Sequence, residues 1–124
     1  MPDVLDASAA LAWLKSEPGA AVVEPLLKGS LISAVNWSEV LQKARQHGYD
    51  PGEVGELFDA RGVTVAAATS GDAVLAAKFW EPSSPLSLGD RFCVALAFRM
   101  DTRAVTAERS WPDLGTGAEI LVIR

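Results

Sequence analysis

The stretch "VLDAS" at residues 4–8 decides how the rest of the sequence is interpreted. Two apolar residues, typical of a short buried strand, run directly into Asp6, and a helical pattern follows at once. An aspartate at the start of a helix is commonly an N-cap. The functional meaning of Asp6 therefore depends on whether other carboxylates occupy the same kind of position later in the chain.

The composition predicts one globular domain that spans residues 1–124. Hydrophobic residues make up 49% of the chain and charged residues 22%, which is enough for a hydrophobic core. No apolar run approaches the ~18 residues of a membrane span, and the N-terminus lacks the basic region of a secretory signal. Cys93 is the only cysteine, so internal disulfides are excluded and a cytoplasmic location is favoured.

Short apolar segments typical of strands alternate with segments that have helical patterns. The predicted strands are residues 3–6, 30–35, 63–68, 104–107 and 119–123, and the predicted helices are residues 8–19, 20–29, 36–48, 50–62, 70–81 and 88–101. Strands that are separated by helices form parallel sheets covered on both faces. We therefore predict an α/β fold, a three-layer α/β/α sandwich with a central, mostly parallel sheet of four or five strands.

Four carboxylates stand near the carboxyl ends of predicted strands. Asp6 ends the first strand, and Glu39 falls in the first turn of the helix after the second. Asp90 falls in the first turn of the long helix, and Glu108 directly follows the strand at residues 104–107. Because sites in open α/β sheets form at the carboxyl ends of the strands, we expect these four side chains to converge.

Helix capping is the structural alternative for two of these carboxylates. The segments "NWSE" at residues 36–39 and "SLGD" at residues 87–90 both have the form of a capping box. Taken alone, either carboxylate would only satisfy backbone N–H groups and the helix dipole. Asp6 and Glu108 lack this spacing, and four clustered carboxylates would repel one another strongly unless a cation were present.

A carboxylate cluster without His or Cys ligands is typical of a site for Mg²⁺ or Mn²⁺. Such an ion activates water and binds phosphate oxygens, so the pattern favours hydrolysis of a phosphodiester. The net charge of −5 argues mildly against a nucleic-acid partner, but a metal would supply the positive charge at the phosphate. His47 is the only histidine, which excludes a histidine-based metal site or a Ser-His-Asp triad.

Four segments of the chain, in order, resemble the PIN domain and in particular the VapC-type toxins of type II toxin–antitoxin pairs: "VLDASAALAWL", "ISAVNWSEVLQKA", "PLSLGDRFCVALA" and "VTAERSW". The resemblance spans nearly the whole chain. It implies a PIN-like fold and an endoribonuclease, a hydrolase that depends on Mg²⁺ or Mn²⁺. It further implies neutralisation by a cognate antitoxin, a homodimer, no membrane association, and contact with DNA only through the antitoxin.

The resemblance also implies roles for individual residues. The catalytic and metal-binding residues would be Asp6, Glu39, Asp90 and Glu108, with Ser8 and Thr106 in support, and the candidates for RNA binding are Arg91, Arg109, Lys43 and Arg45. The chain departs from the family at Glu108, where the pattern most often has aspartate. The longer side chain of Glu108 either reaches the metal, directly or through water, or points to solvent.

Other functions remain to be weighed against the nuclease. A response-regulator receiver needs a lysine late in the chain, but the last lysine is Lys78. A phosphatase of the haloacid dehalogenase type needs aspartate at position 8, which is Ser8. The alternative that stays open is a catalytically weakened PIN-fold binding protein that acts through protein or RNA partners. Metal-dependent cleavage of RNA distinguishes it from the nuclease.

Overall fold

The computed structural model of the protein describes residues 2–124. The strands are β1 (Val4–Leu5), β2 (Leu31–Ser33), β3 (Thr64–Ala66), β4 (Arg103–Thr106) and β5 (Glu119–Val122). The helices are α1 (Ala7–Leu14), α2 (Ala20–Val23), α3 (Ala34–Gln46), α4 (Pro51–Ala60), α5 (Ser70–Lys78) and α6 (Leu88–Arg99), with 3-10 helices at Glu24–Leu26 and Trp111–Leu114. None of the helices in residues 2–124 is long and apolar enough to cross a membrane.

The five strands form one sheet in the order β3-β2-β1-β4-β5, and every neighbouring pair is parallel. Successive residues of a strand face opposite sides of the sheet. Leu5, Ile32 and Val105 accordingly pack in one hydrophobic core, whereas Val4 and Ala104 pack in a second. The prediction of an α/β sandwich with a central parallel sheet is confirmed, at the upper limit of the expected strand number.

The central position of β1 places its carboxyl end between two other strand ends. Its residues pair with β2 on one side and with β4 on the other. Asp6 therefore follows β1 at the same edge of the sheet where β2 ends at Ser33 and β4 ends at Thr106. Since parallel strands all end at one edge, this is the edge at which a site is expected.

The start of α3 differs from the sequence prediction. The helix begins at Ala34, and the hydroxyl of Ser33 caps it by accepting a hydrogen bond from the amide of Val35 at 3.3 Å. The apolar residues 34–35 therefore belong to the helix and not to the preceding strand, an ambiguity that short apolar runs leave open. The predicted capping box at residues 36–39 is wrong, and Glu39 lies in the second turn of α3 instead of the first.

Candidate active site

Asp6 is held at the end of β1 by a network of hydrogen bonds. It caps α1, with Oδ1 accepting from the amide of Ala9 at 2.8 Å. The hydroxyl of Ser8 donates to Oδ1 at 2.7 Å, and the hydroxyl of Thr106 donates to Oδ2 at 2.6 Å. Only 1% of Asp6 is exposed. Ser8 and Thr106, which the sequence predicts as supporting residues of the site, therefore both contact Asp6.

The environment of Asp6 disfavours its negative charge. Burial raises the pKa of Asp6 from its ordinary value of 3.8 to about 6, although hydrogen bonds from Thr106, Ala9 and Ser8 oppose the change. The charge of Asp90 raises the pKa of Asp6 further. A buried carboxylate beside a second carboxylate is an arrangement that binding of a cation would relieve.

Glu39 is held by a side chain that also contacts α6. The buried amide of Asn36 donates through Nδ2 to Glu39 Oε1 at 3.1 Å and to the carbonyl oxygen of Gly89 at 2.9 Å. Because both neighbours are acceptors, the amide must present its NH₂ group to them. This leaves Asn36 Oδ1 buried without a hydrogen-bond partner within residues 2–124, at a cost of roughly 1–3 kcal/mol.

Gly89 provides the space for the carboxylate of Glu39. A Cβ atom at position 89 would lie 2.9 Å from Glu39 Cδ and closer still to Glu39 Oε1. The carboxylate thus occupies the volume that a side chain would take, beside the N-terminus of α6 and its partial positive charge. Burial raises the pKa of Glu39 and the charge of Asp90 adds to this, while Asn36 and Lys43 oppose it.

Asp90 lies in the first turn of α6 and completes the capping box that the sequence predicts. Its amide donates to the hydroxyl of Ser87 at 3.1 Å, and its Oδ2 accepts from the amide of Ser87 at 2.9 Å. Asp90 nevertheless does more than cap the helix, because its charge raises the pKa of both Asp6 and Glu39. The side chains of Asp6 and Glu39 therefore both lie within electrostatic range of Asp90.

Cys93 lies one turn beyond Asp90 on α6 and is fully buried. Burial raises the pKa of its thiol well above the ordinary value, and the charges of Asp6, Asp90 and Glu39 raise it further. The negative charges of all three carboxylates therefore act on the Cys93 thiol. Such a thiol stays protonated at neutral pH, so Cys93 is a poor nucleophile.

Glu108 differs from the other three predicted carboxylates in being exposed. It lies just beyond the end of β4, and its backbone amide donates to the hydroxyl of Thr106 at 3.0 Å. The backbone of Glu108 is thus part of the network around Asp6, whereas the carboxylate whose charge raises the pKa of Asp6 is that of Asp90.

Two of the four basic candidates lie on α3. Lys43 follows Glu39 by about one helical turn, and its charge lowers the pKa of Glu39. Arg45 is also exposed on α3, two residues further along the chain. Among the four basic candidates, Lys43 is therefore the one whose charge acts on a predicted site carboxylate, that of Glu39.

The other two basic candidates make local contacts elsewhere. Arg91 Nη1 donates to the carbonyl oxygen of Ala76 at 3.0 Å, which connects α6 to α5. Arg109 Nε donates to the carbonyl oxygen of Arg124 at 2.9 Å. Each of these guanidinium groups therefore has a backbone carbonyl as a structural partner.

The donor set is chemically suited to a hard divalent cation. Within residues 2–124, Asp6, Glu39 and Asp90 form no ion pair with Lys or Arg, and Lys43 relieves the charge of Glu39 only in part. As the side chains stand, no three acidic, His or Cys groups of that part of the chain surround a metal-sized space. Carboxylate oxygens that no ion pair neutralises are the kind of ligand that Mg²⁺ and Mn²⁺ prefer.

Asn36 and Gly89 are members of this site that were not predicted from the sequence. Asn36 stands three residues before Glu39, a spacing that puts both side chains on one helix face. Gly89 stands in the first turn of a helix, where most other residues have a higher helix propensity. Both signals are present in the sequence, but neither indicates that α3 and α6 meet.

The comparisons with known proteins agree with this architecture. A family model described as the PIN domain matches residues 4–116. In overall structure the chain is similar to a chain of a toxin–antitoxin complex from Klebsiella pneumoniae, with TM-score 0.79, 13% identity and coverage of 98% of each chain. It is also similar to a chain of VapBC2 from Rickettsia felis bound to a promoter DNA fragment, with TM-score 0.78, 12% identity and full coverage of both chains.

A third structure, VapBC-1 from nontypeable Haemophilus influenzae, has TM-score 0.72 and 15% identity, with 98% of each chain covered. At such identities the likeness is one of fold. No curated protein matches the sequence. The family model covers most of the chain, and the parallel sheet and flanking helices agree with it, so the chain belongs to the PIN domain family.

Proposed function

We propose that this protein is a metal-dependent endoribonuclease that acts as the toxin of a toxin–antitoxin pair. The observation that carries the proposal is that Asp6 and Glu39 lie within electrostatic range of Asp90 at the carboxyl edge of the sheet, and that none of the three forms an ion pair with Lys or Arg in residues 2–124. Members of the PIN domain family are generally nucleases. Hydrolysis of an RNA phosphodiester is the reaction that this donor set supports best.

The residues that would hold Mg²⁺ or Mn²⁺ are Asp6, Glu39 and Asp90, with Glu108 as a fourth candidate. When bound, the ion supplies Lewis acidity and a water of lowered pKa. The protein's own contribution is to keep the carboxylates in place before substrate arrives. Ser8 and Thr106 fix both oxygens of Asp6, and the cap of α6 fixes Asp90.

Basic side chains would contact the phosphates of the RNA. Lys43 is the strongest of the four candidates because its charge already acts on Glu39. Arg45 is exposed on the same helix. Arg91 and Arg109 remain candidates, although each donates a hydrogen bond to a backbone carbonyl.

The proposed partners are a cognate antitoxin and a second copy of the chain. The structures to which the fold is similar are toxin–antitoxin complexes, and one of them is bound to promoter DNA. By analogy, this protein would be a cytoplasmic homodimer that is neutralised by its antitoxin and meets DNA only through it. Light scattering at micromolar concentration tests the dimer, and a monomer would contradict it.

Cleavage of RNA by the purified protein, free of antitoxin, tests the proposed activity. We expect cleavage in Mg²⁺ or Mn²⁺, none in EDTA, and recovery when the metal is restored. Attack of water at phosphorus should leave 5′-phosphate and 3′-hydroxyl ends. Cleavage that continues unchanged in the chelator would contradict the mechanism.

A PIN-fold binding protein with weakened catalysis is the second candidate. It is favoured by two observations. Glu108 is exposed, and within residues 2–124 no three acidic, His or Cys side chains surround a metal-sized space. This candidate predicts binding to RNA or to a protein partner without metal-dependent cleavage, so the same assay decides between the two.

A further inference from the structure

The carboxylate of Glu39 is positioned by a hydrogen bond from its own helix and by the space that a glycine leaves on α6. Asn36 donates to Glu39 Oε1 and, through the same nitrogen, to the carbonyl oxygen of Gly89. The absent Cβ of Gly89 leaves the volume in which the carboxylate lies. We call the pair Asn36 and Gly89 the Glu39 seat.

We propose that the Glu39 seat positions this carboxylate beside Asp90 and thereby sets the affinity of the sheet edge for a divalent cation. Asn36 and Gly89 would be positioning residues, since neither offers a charged ligand. The inference rests on the proposed function, and it goes beyond that function by assigning metal affinity to two uncharged residues.

Backbone conformation does not explain the glycine at position 89. Within residues 2–124, the glycines with positive φ are at other positions, so Gly89 has a backbone angle that any residue adopts. Glycine also weakens a helix relative to alanine. What position 89 does require is space, because a Cβ there would meet the Glu39 carboxylate at less than van der Waals distance.

The chain contains a matched glycine that lacks this contact. Gly71 is the second residue of α5, as Gly89 is of α6, and both helices begin with a capping box. A Cβ at position 71 would lie 3.7 Å from the Thr69 hydroxyl, which is ordinary van der Waals contact. Gly71→Ala is therefore a control that changes the same helix position without displacing a carboxylate.

Asn36 supplies the second half of the seat. Its amide joins residues that are 53 positions apart in the chain and connects the first turn of α3 to the first turn of α6. Residues that orient a metal ligand typically change metal affinity by roughly 10–100-fold when they are replaced. Replacing Asn36 or Gly89 should therefore change the metal affinity by a similar factor, although neither residue would contact the ion.

The test compares Mn²⁺ binding by isothermal calorimetry in the wild type, Gly89→Ala and Gly71→Ala. We expect Gly89→Ala to raise the Kd by about tenfold, and Gly71→Ala to leave it within about twofold. Both variants should unfold at a Tm no lower than that of the wild type, because alanine favours a helix. The clash at position 89 is with the end of a flexible side chain, so Glu39 moves and the helix stays.

A double-mutant cycle shows whether Gly89 acts through Glu39. In a Glu39→Asp background the side chain is one methylene shorter, and Gly89→Ala should weaken Mn²⁺ binding by no more than about twofold. Asn36→Ala is the second variant, and it should raise the Kd by about tenfold in an otherwise unchanged chain.

The outcomes separate this inference from the proposed function. Equal Mn²⁺ affinity in the wild type and Gly89→Ala would overturn the inference alone, and so would a tenfold loss that persists in the Glu39→Asp background. A wild-type protein that binds no Mn²⁺ would overturn the proposed function and, with it, the role of the seat.

Discussion

Two helices of this protein begin with the same local motif and use it differently. The helix α5 begins after Thr69 and α6 begins after Ser87, and each has glycine at its second position and aspartate at its third. In both, the N-cap amide donates to the aspartate, at 3.2 Å for Asp72 and 2.9 Å for Asp90. The capping box alone therefore does not distinguish the two sites.

The difference comes from what each aspartate meets in the tertiary structure. Asp72 is buried and accepts two hydrogen bonds from Arg99, at 2.7 Å and 3.1 Å. Burial alone would raise the pKa of Asp72, but the hydrogen bonds and charge of Arg99, together with Thr69, lower it. Asp90 instead lies beside Asp6 and Glu39. A local motif fixes a helix start, and the neighbours decide whether its carboxylate is paired with a cation, as in Asp72, or lies near other carboxylates, as in Asp90.

Neutralising the aspartate of α6 should have the largest effect. Asp90→Asn keeps an acceptor for the cap and removes the charge, so we expect RNA cleavage to fall by at least about a hundredfold. The free energy of unfolding should change by no more than about 1 kcal/mol. The measurements are initial cleavage rates at saturating Mn²⁺ and urea unfolding of the same preparation.

The corresponding change in α5 is the control for that assay. Asp72→Asn should cleave RNA at a rate within about twofold of the wild type when it is assayed below its Tm, since Asp72 does not contact the three carboxylates. Full activity in Asp90→Asn would show that Asp90 is only a cap, and the contrast between the two helices would disappear.

The pH dependence of stability should run in opposite directions at the two sites. The pKa of Asp6 is about 6 in the folded protein and has an ordinary value of 3.8, so the folded state binds more protons between these limits. The free energy of unfolding of the metal-free protein should therefore lose up to about 3 kcal/mol as the pH rises through this window. For Asp72, whose pKa is lowered, stability is instead lost as the pH falls.

Urea unfolding in EDTA across this pH range measures the effect. Asp6→Asn should remove most of the loss and should be more stable than the wild type at neutral pH without metal. Adding Mn²⁺ at neutral pH should restore stability to the wild type only, since a ligand that binds the folded state stabilises it. If stability depended on pH in the same way in the wild type and in Asp6→Asn, the burial of Asp6 would not disfavour its charge.

Breaking the ion pair of α5 should affect stability alone. Asp72→Asn removes the charge that Arg99 contacts and leaves a buried amide in its place, which should cost about 2 kcal/mol. Arg99 is partly exposed, so water can hydrate it in the variant and limit the loss. Thermal and urea unfolding give the measurement, and a loss of metal affinity instead of stability would contradict the structural role of Asp72.

The sequence predicts the fold well because its signals are local. The apolar strands alternate with helices, which predicts a parallel sheet. Asp6 directly follows a predicted strand and Asp90 lies in the first turn of the long helix, so both are predicted at the edge where the strands end. The start of α3 was predicted two residues late because residues 34–35 fit either a strand or a helix. The contact of Asn36 with Gly89 joins distant parts of the chain, and no local pattern encodes such a contact.

The smallest expected effect concerns Glu108, the carboxylate that lies outside the group of three. Its side chain is exposed beyond β4, and it is one methylene longer than that of Asp6 or Asp90. We expect Glu108→Ala to raise the Mn²⁺ concentration for half-maximal cleavage by about threefold to tenfold, with little change in the saturated rate, because glutamate often binds such ions through retained waters. Glu108→Asp should restore the wild-type curve, since aspartate is the more usual residue in the family pattern that this segment resembles. Mn²⁺ titrations of cleavage by the wild type, Glu108→Ala and Glu108→Asp test whether Glu108 contributes to metal binding. Three superimposable curves would place Glu108 outside the site.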